Sequence, residues 1–88
     1  MQSTLTLLDK ALAIAPMPVW TERLGVHRNA LRNARASGHL TPVLAGNLAL
    51  ELQENPEHWI AVAVVEGEKP SPAKDALAKR LSKAWLNT

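Results

Sequence analysis

Apolar residues recur along this chain at intervals of three and four, and prolines and glycines interrupt the pattern. "STLTLLDKALAIA" sets Leu5, Leu8 and Leu12 on one helical line, with Ser3 or Thr4 as its cap. Pro16 and Pro18 end that helix. A short one follows from about Pro18 to Leu24, with the proline in its first turn. Gly25 permits a sharp turn, because glycine reaches positive φ without steric cost. "HRNALRNARAS" then predicts a helix from His27 onward, stopped by Gly38.

Thr41-Pro42, Asn55-Pro56 and Ser71-Pro72 each place a capping residue before a proline, the signature of a helix start. The first opens "PVLAGNLALEL", with Leu44, Leu48 and Leu52 on one face; the third opens "AKDALAKRLSKAWLN". The second opens a segment that reads two ways. Residues 59–65, "WIAVAVV", are β-branched and alternate well enough for a strand, whereas the Asn-Pro-Glu entry and the alanines favour helix. The predicted fold is therefore all-α, a compact bundle of five to six short helices. Residues 1–68 form its domain, and residues 69–88, entered through the linker "EGEKPSP", add a basic amphipathic helix.

Composition narrows the chemistry. The chain has 88 residues, enough for one small core, and neither Phe nor Tyr, so Leu, Val, Ala and three tryptophans must fill it. Trp20 and Trp59 are the expected anchors. There is no cysteine, which excludes disulfides, a thiolate zinc site and a thiol nucleophile, and which fits a cytoplasmic protein. Asp9 and Lys10 break the apolar N-terminal stretch and no basic region precedes it, so it does not read as a signal peptide. No apolar run is long enough to cross a membrane, and no membrane partner is expected. His27, His39 and His58 do not form an i, i+4 pair, so a cap, a loop residue and a surface residue are expected rather than metal ligands. Glu51, Glu54 and Glu57 read as a solvated helix end and the start of the next helix. No nucleophile–base pairing, phosphate-binding glycine loop or cofactor fingerprint is present, so neither an enzyme nor a cofactor is expected.

Charge is unevenly distributed. "TERLGVHRNALRNARASGHLTP" holds four arginines, two asparagines and two histidines against one acid, Glu22. Residues 41–68 carry five glutamates and no lysine or arginine; residues 69–88 carry five bases and one acid. Around Gly25, Trp20, Leu24, Val26, Leu31 and Ala34 have the spacing of two helices packed across a tight turn. Winding the second helix at about 100° per residue puts His27, Leu31 and Ala34 on one side. Arg28, Asn29, Arg32, Asn33, Arg35 and Ala36 fall on the other, with no carboxylate among them. Arginine matches guanine O6 and N7 with two parallel hydrogen bonds, and asparagine matches adenine N6 and N7.

The stretch from Trp20 to Pro42 resembles the helix-turn-helix of the phage repressor and Cro-like (Xre-type) regulators, among them small phage-related proteins of proteobacteria. Thr21, Leu24-Gly25-Val26, His27 and Leu31 occupy the positions of that motif, and the resemblance runs from about Leu5 to Glu68. It implies a lambda repressor-like bundle whose second motif helix, residues 27–37, enters the major groove. By position, His27, Arg28, Asn29, Arg32 and Asn33 would face bases. Arg35, Gly38, His39 and Thr41 would meet phosphate. The chain departs from the pattern at Thr21, usually Ala, at His27, often Ser or Thr, and at "PMPVW", where a polar cap and a Gln are common. The implied activity is a sequence-specific transcriptional regulator of double-stranded DNA. One short helix reads only a few base pairs, so a homodimer is expected. The last helix lies outside the resemblance; its apolar stripe Leu77, Leu81 and Trp85 either packs back on the domain or supplies the dimer contacts. The alternative is a protein-interaction module of phage origin that binds host transcription machinery such as RNA polymerase. An RNA-binding role fits less well, because the basic stretch has no aromatic platform for stacking bases.

Overall fold

Side-chain caps start four of the six helices where the sequence places them. In the computed structural model, which describes residues 3–86 apart from the side chains of residues 85 and 86, α1 spans Thr4–Ile14 and is capped by Ser3 Oγ, which accepts from Leu5 N at 3.2 Å. α2 is Met17–Leu24, with Pro18 in its first turn, and α3 is Ala30–Ser37. α4 (Pro42–Glu51) starts where Thr41 Oγ1 accepts from Leu44 N at 3.3 Å. α5 (Pro56–Gly67) starts where Asn55 Oδ1 accepts from Glu57 N and His58 N at 3.0 and 3.3 Å. α6 (Pro72–Leu86) starts where Ser71 Oγ accepts from Lys74 N at 3.0 Å. Each cap satisfies amide groups that an α-helix leaves without a partner. The described residues contain no strand: the chain is an all-helical bundle.

Segment 59–65 lies wholly within α5. Trp59, Val62 and Ala63 are buried at helical spacing, while Ile60 and Val64 face solvent. Apolar residues on both faces made the segment alternate like a strand.

Three helices end the same way. After α2, Val26 N donates to Thr21 O at 3.1 Å and Gly25 N to Glu22 O at 3.2 Å. After α3, His39 N donates to Ala34 O and Gly38 N to Arg35 O, both at 3.2 Å. After α4, Glu54 N donates to Ala49 O at 2.8 Å and Gln53 N to Leu50 O at 3.2 Å. This double bond requires a left-handed residue at the turn. Gly25 and Gly38 supply it at φ 67° and 92°, but the third position is Gln53, at φ 58°. A side chain there costs about 1–2 kcal/mol relative to right-handed backbone. Part of the relief on substitution is offset by the extra freedom of glycine in the unfolded chain. Gln53→Gly is therefore expected to raise unfolding free energy by about 0.5–1 kcal/mol, read from the urea midpoint at unchanged m.

The core joins the first five helices. α1 contributes Leu7, Leu8 and Ala11; α2 Trp20; α3 Leu31 and Ala34; α4 Leu44, Ala45, Leu48 and Ala49; α5 Trp59, Val62 and Ala63; Leu40 enters from the loop after α3. Leu5 and Leu12, expected on the inner line of α1, flank this core, because Leu7 takes the central place. α4 and α5 pack closely: a Cβ on Gly46 would stand 2.9 Å from the Ile60 side chain. Buried Thr4 joins three segments. Its hydroxyl accepts from Leu40 N at 2.8 Å, and its amide donates to Glu66 Oε1 at 3.0 Å. Among the described residues α6 adds none to the core. It touches α5, and Lys74 Nζ donates to the Glu68 carbonyl at 3.0 Å.

Candidate nucleic-acid interface

The placement of α3 begins with Trp20. Its indole N–H donates to the carbonyls of Ala11 and Ala15 at 2.8 and 3.0 Å, fixing α2 to the end of α1. The Arg23 guanidinium lies over the ring, 5.4 Å from its centre. Thr21 is buried beside it, and its hydroxyl donates to Pro18 O at 3.1 Å, so this polar residue is accommodated inside the helix pair. Leu24 and Val26 pack on the core from either side of Gly25, and Leu31 and Ala34 bury the inner face of α3.

Regular helix starts three residues later than expected. His27 Nδ1 accepts from Asn29 N at 3.1 Å and the His27 carbonyl accepts from Ala30 N at 2.9 Å, which makes residues 27–29 a capping turn. The first i→i+4 bond is from Asn33 N to Asn29 O at 2.8 Å. The His27 ring thus caps the turn that precedes Asn29, the helix's N-cap, and it is exposed rather than on the side of Leu31 and Ala34.

Outward from α3, Arg32, Asn33, Ala36 and Ser37 are exposed, and Arg28 is exposed in the turn before it; Asn29 is half-buried. Arg35 departs from the expectation of an uncompensated cation. Its guanidinium Nη2 lies 2.6 Å from Asp9 Oδ1 of α1, with both side chains still partly in solvent. The acid comes from 26 residues away, so no local reading of the basic stretch could include it. Among the described residues Arg28 and Arg32 enter no ion pair. Gly38 serves as the left-handed end of α3, and the Thr41 hydroxyl caps α4. His39 is half-buried with its ring against the end of α5: Nε2 is 3.5 Å from the position of a Cβ on Gly67. Asn33, Ser37, His39 and Thr41 also line an open groove of about 300 Å³ between α3 and the start of α4, floored by Ala30, Ala34 and Leu44. Ser37 carried no signal in the sequence beyond its place before Gly38.

No family model matches this chain. No curated protein and no solved structure gives a match either.

Leu77 is exposed and Leu81 half-buried on α6; the Trp85 side chain lies outside the described residues. Among the described residues no three His, Cys, Asp or Glu stand together as a metal site, and no helix is long and apolar enough to cross a membrane. Glu57 takes the first turn of α5, where a negative charge suits the helix dipole.

Glu54 is not simply solvated. It is ion-paired with Lys10 of α1 and accepts from Trp59 Nε1 at 3.3 Å. The hydrogen bond from Lys10 holds its carboxyl below the ordinary value of 4.5, against a partial desolvation that acts the other way. A lowered folded pKa means that the contribution is present above the unfolded value and is lost as pH falls through the folded one. Urea melts should therefore show a loss of stability below pH 4.5 that is smaller in Glu54→Gln; equal acid losses in the two proteins would remove this pairing from the account.

Proposed function

We propose that the protein is a sequence-specific DNA-binding transcriptional regulator of the repressor/Cro type, which sets α3 in the major groove as a homodimer. The observation that carries this reading is the outer surface of α3: Arg28 and Arg32 are exposed without an ion pair among the described residues, and Asn33 lies beside them. Free guanidinium and amide groups on a rigid helix suit base edges, whereas cations already paired with carboxylates would have to give up those partners first. The groove beside Asn33 and Thr41 offers polar groups where a phosphate strand would run along the helix. Arg35 keeps a supporting part in this reading, since Asp9 holds it at the margin of α3.

Homodimerisation follows from scale. An eight-residue helix reads only a few base pairs, and two-fold dimers read half-sites about 34–36 Å apart. A protomer of 37 × 27 × 18 Å is of the right size for two copies to span that distance.

Selection of bound duplexes from a random library tests the reading. The expected outcome is an enriched sequence with two-fold symmetry, bound with an affinity that falls linearly with salt on logarithmic axes. A library that shows no enrichment, or binding indifferent to salt, would contradict it.

A further inference from the structure

α4 and α5 turn a different kind of surface to solvent. Val43 and Leu50 on α4 are 72% and 61% exposed, and Ile60 and Val64 on α5 are exposed as well. The contact between Gly46 and Ile60 fixes which sides of the two helices adjoin. From that contact, spacings of three and four bring these four side chains onto one continuous face. Scattered apolar residues on a surface are ordinary, but a row across two helices marks an interaction site. Its margin is acidic. Glu51, Glu57 and Glu68 are exposed, and residues 41–68 include no lysine or arginine. The segment's other two glutamates are engaged internally, Glu54 with Lys10 and Glu66 with the Thr4 amide.

α6 is the complement of that face. None of its described side chains is buried, and none of them belongs to the core. Leu77 is exposed, in line with Ala73 and Ala84 at helical spacing; Arg80 borders this strip, with Lys83 and then Lys79 further round the exposed side, and the helix's one acid is Asp75. In its own chain α6 leaves the α4–α5 face uncovered.

We propose that these two surfaces bind each other between copies of the chain: α6 of one copy lies on the α4–α5 face of a second, and the second returns the contact. The exchange supplies the dimer on which the DNA reading relies, and it rests on that reading only for the need of two copies. Charge selects this arrangement over its rivals. α6 against α6 would set base against base, and the α4–α5 face against itself would set acid against acid. Only the exchange pairs opposite signs at both contacts, and it closes with two-fold symmetry.

Two charge-reversed variants and their mixture test it by sedimentation equilibrium. The first carries Lys79→Glu, Arg80→Glu and Lys83→Glu; the second carries Glu51→Lys, Glu57→Lys and Glu68→Lys. Each alone should self-associate at least about tenfold more weakly than the unmodified chain, because like charges now meet at both contacts. An equal mixture should regain the original affinity as a heterodimer, since every contact then pairs opposite signs again. The proposal is overturned if the unmodified chain is a monomer from micromolar to millimolar concentration, if either variant alone associates as before, or if the mixture does not recover. Should a triple variant lose its helical circular dichroism, Leu77→Asp and Val64→Asp replace the pair: each must weaken association alone, and an effect from only one overturns the exchange. DNA selection is read separately: a monomer that still enriches a half-site sinks the exchange and leaves the DNA reading standing.

Discussion

Trp20→Ala should lower unfolding free energy by about 3–5 kcal/mol, a large part of what a domain of this size possesses. The side chain is 1% exposed and sits where α1, α2 and the rest of the core meet. Truncation leaves a cavity the size of an indole and frees two carbonyls, of Ala11 and Ala15, that the ring N–H now satisfies. Trp20→Phe separates the two effects. It keeps most of the volume and removes only the donor, so a loss of about 1–3 kcal/mol is expected. Urea titrations of the three proteins check both values. If Trp20→Ala lost less than about 1 kcal/mol, α2 would not be held by this residue, and the seat of α3 would need another explanation.

Much of the bundle is legible in the residues themselves because its boundaries are set locally. Thr41-Pro42, Asn55-Pro56 and Ser71-Pro72 start helices through atoms two or three positions away, so a linear reading captures the whole cause. Gly25 and Gly38 mark turns for the same reason. Gln53 makes the equivalent turn with no glycine to announce it, since tertiary packing of α4 on α5 outweighs the local preference. α3 starts three residues later than the pattern suggests because residues 27–29 form a turn in which His27 Nδ1 accepts from Asn29 N. At the candidate site, the exposed line of Arg32 and Asn33 follows from helical period once Leu31 and Ala34 face inward. The pairing of Arg35 with Asp9, the turn of His39 toward Gly67 and the bridge from Lys10 to Glu54 do not follow. Each joins residues far apart in the chain, and periodicity holds no information on which helices become neighbours.

The second large effect concerns recognition. On the sequence recovered by selection, Arg32→Ala should cost about 1–3 kcal/mol of discrimination, which is the value of a bidentate arginine–base contact. The same substitution should change binding to scrambled DNA far less. Lys69→Ala, which removes an exposed cation outside α3, should lower affinity for both duplexes alike or not at all. Arg28→Ala should resemble Arg32→Ala, with a smaller effect if its turn holds it against phosphate rather than a base edge.

Fluorescence anisotropy of the selected and scrambled duplexes, titrated with the unmodified protein, Arg32→Ala and Lys69→Ala at one salt concentration, tests the central claim most directly. Arg32→Ala alone should collapse the affinity ratio between the two duplexes. An unchanged ratio in Arg32→Ala, or a ratio that collapses as far in Lys69→Ala, would show that the outer surface of α3 does not read DNA.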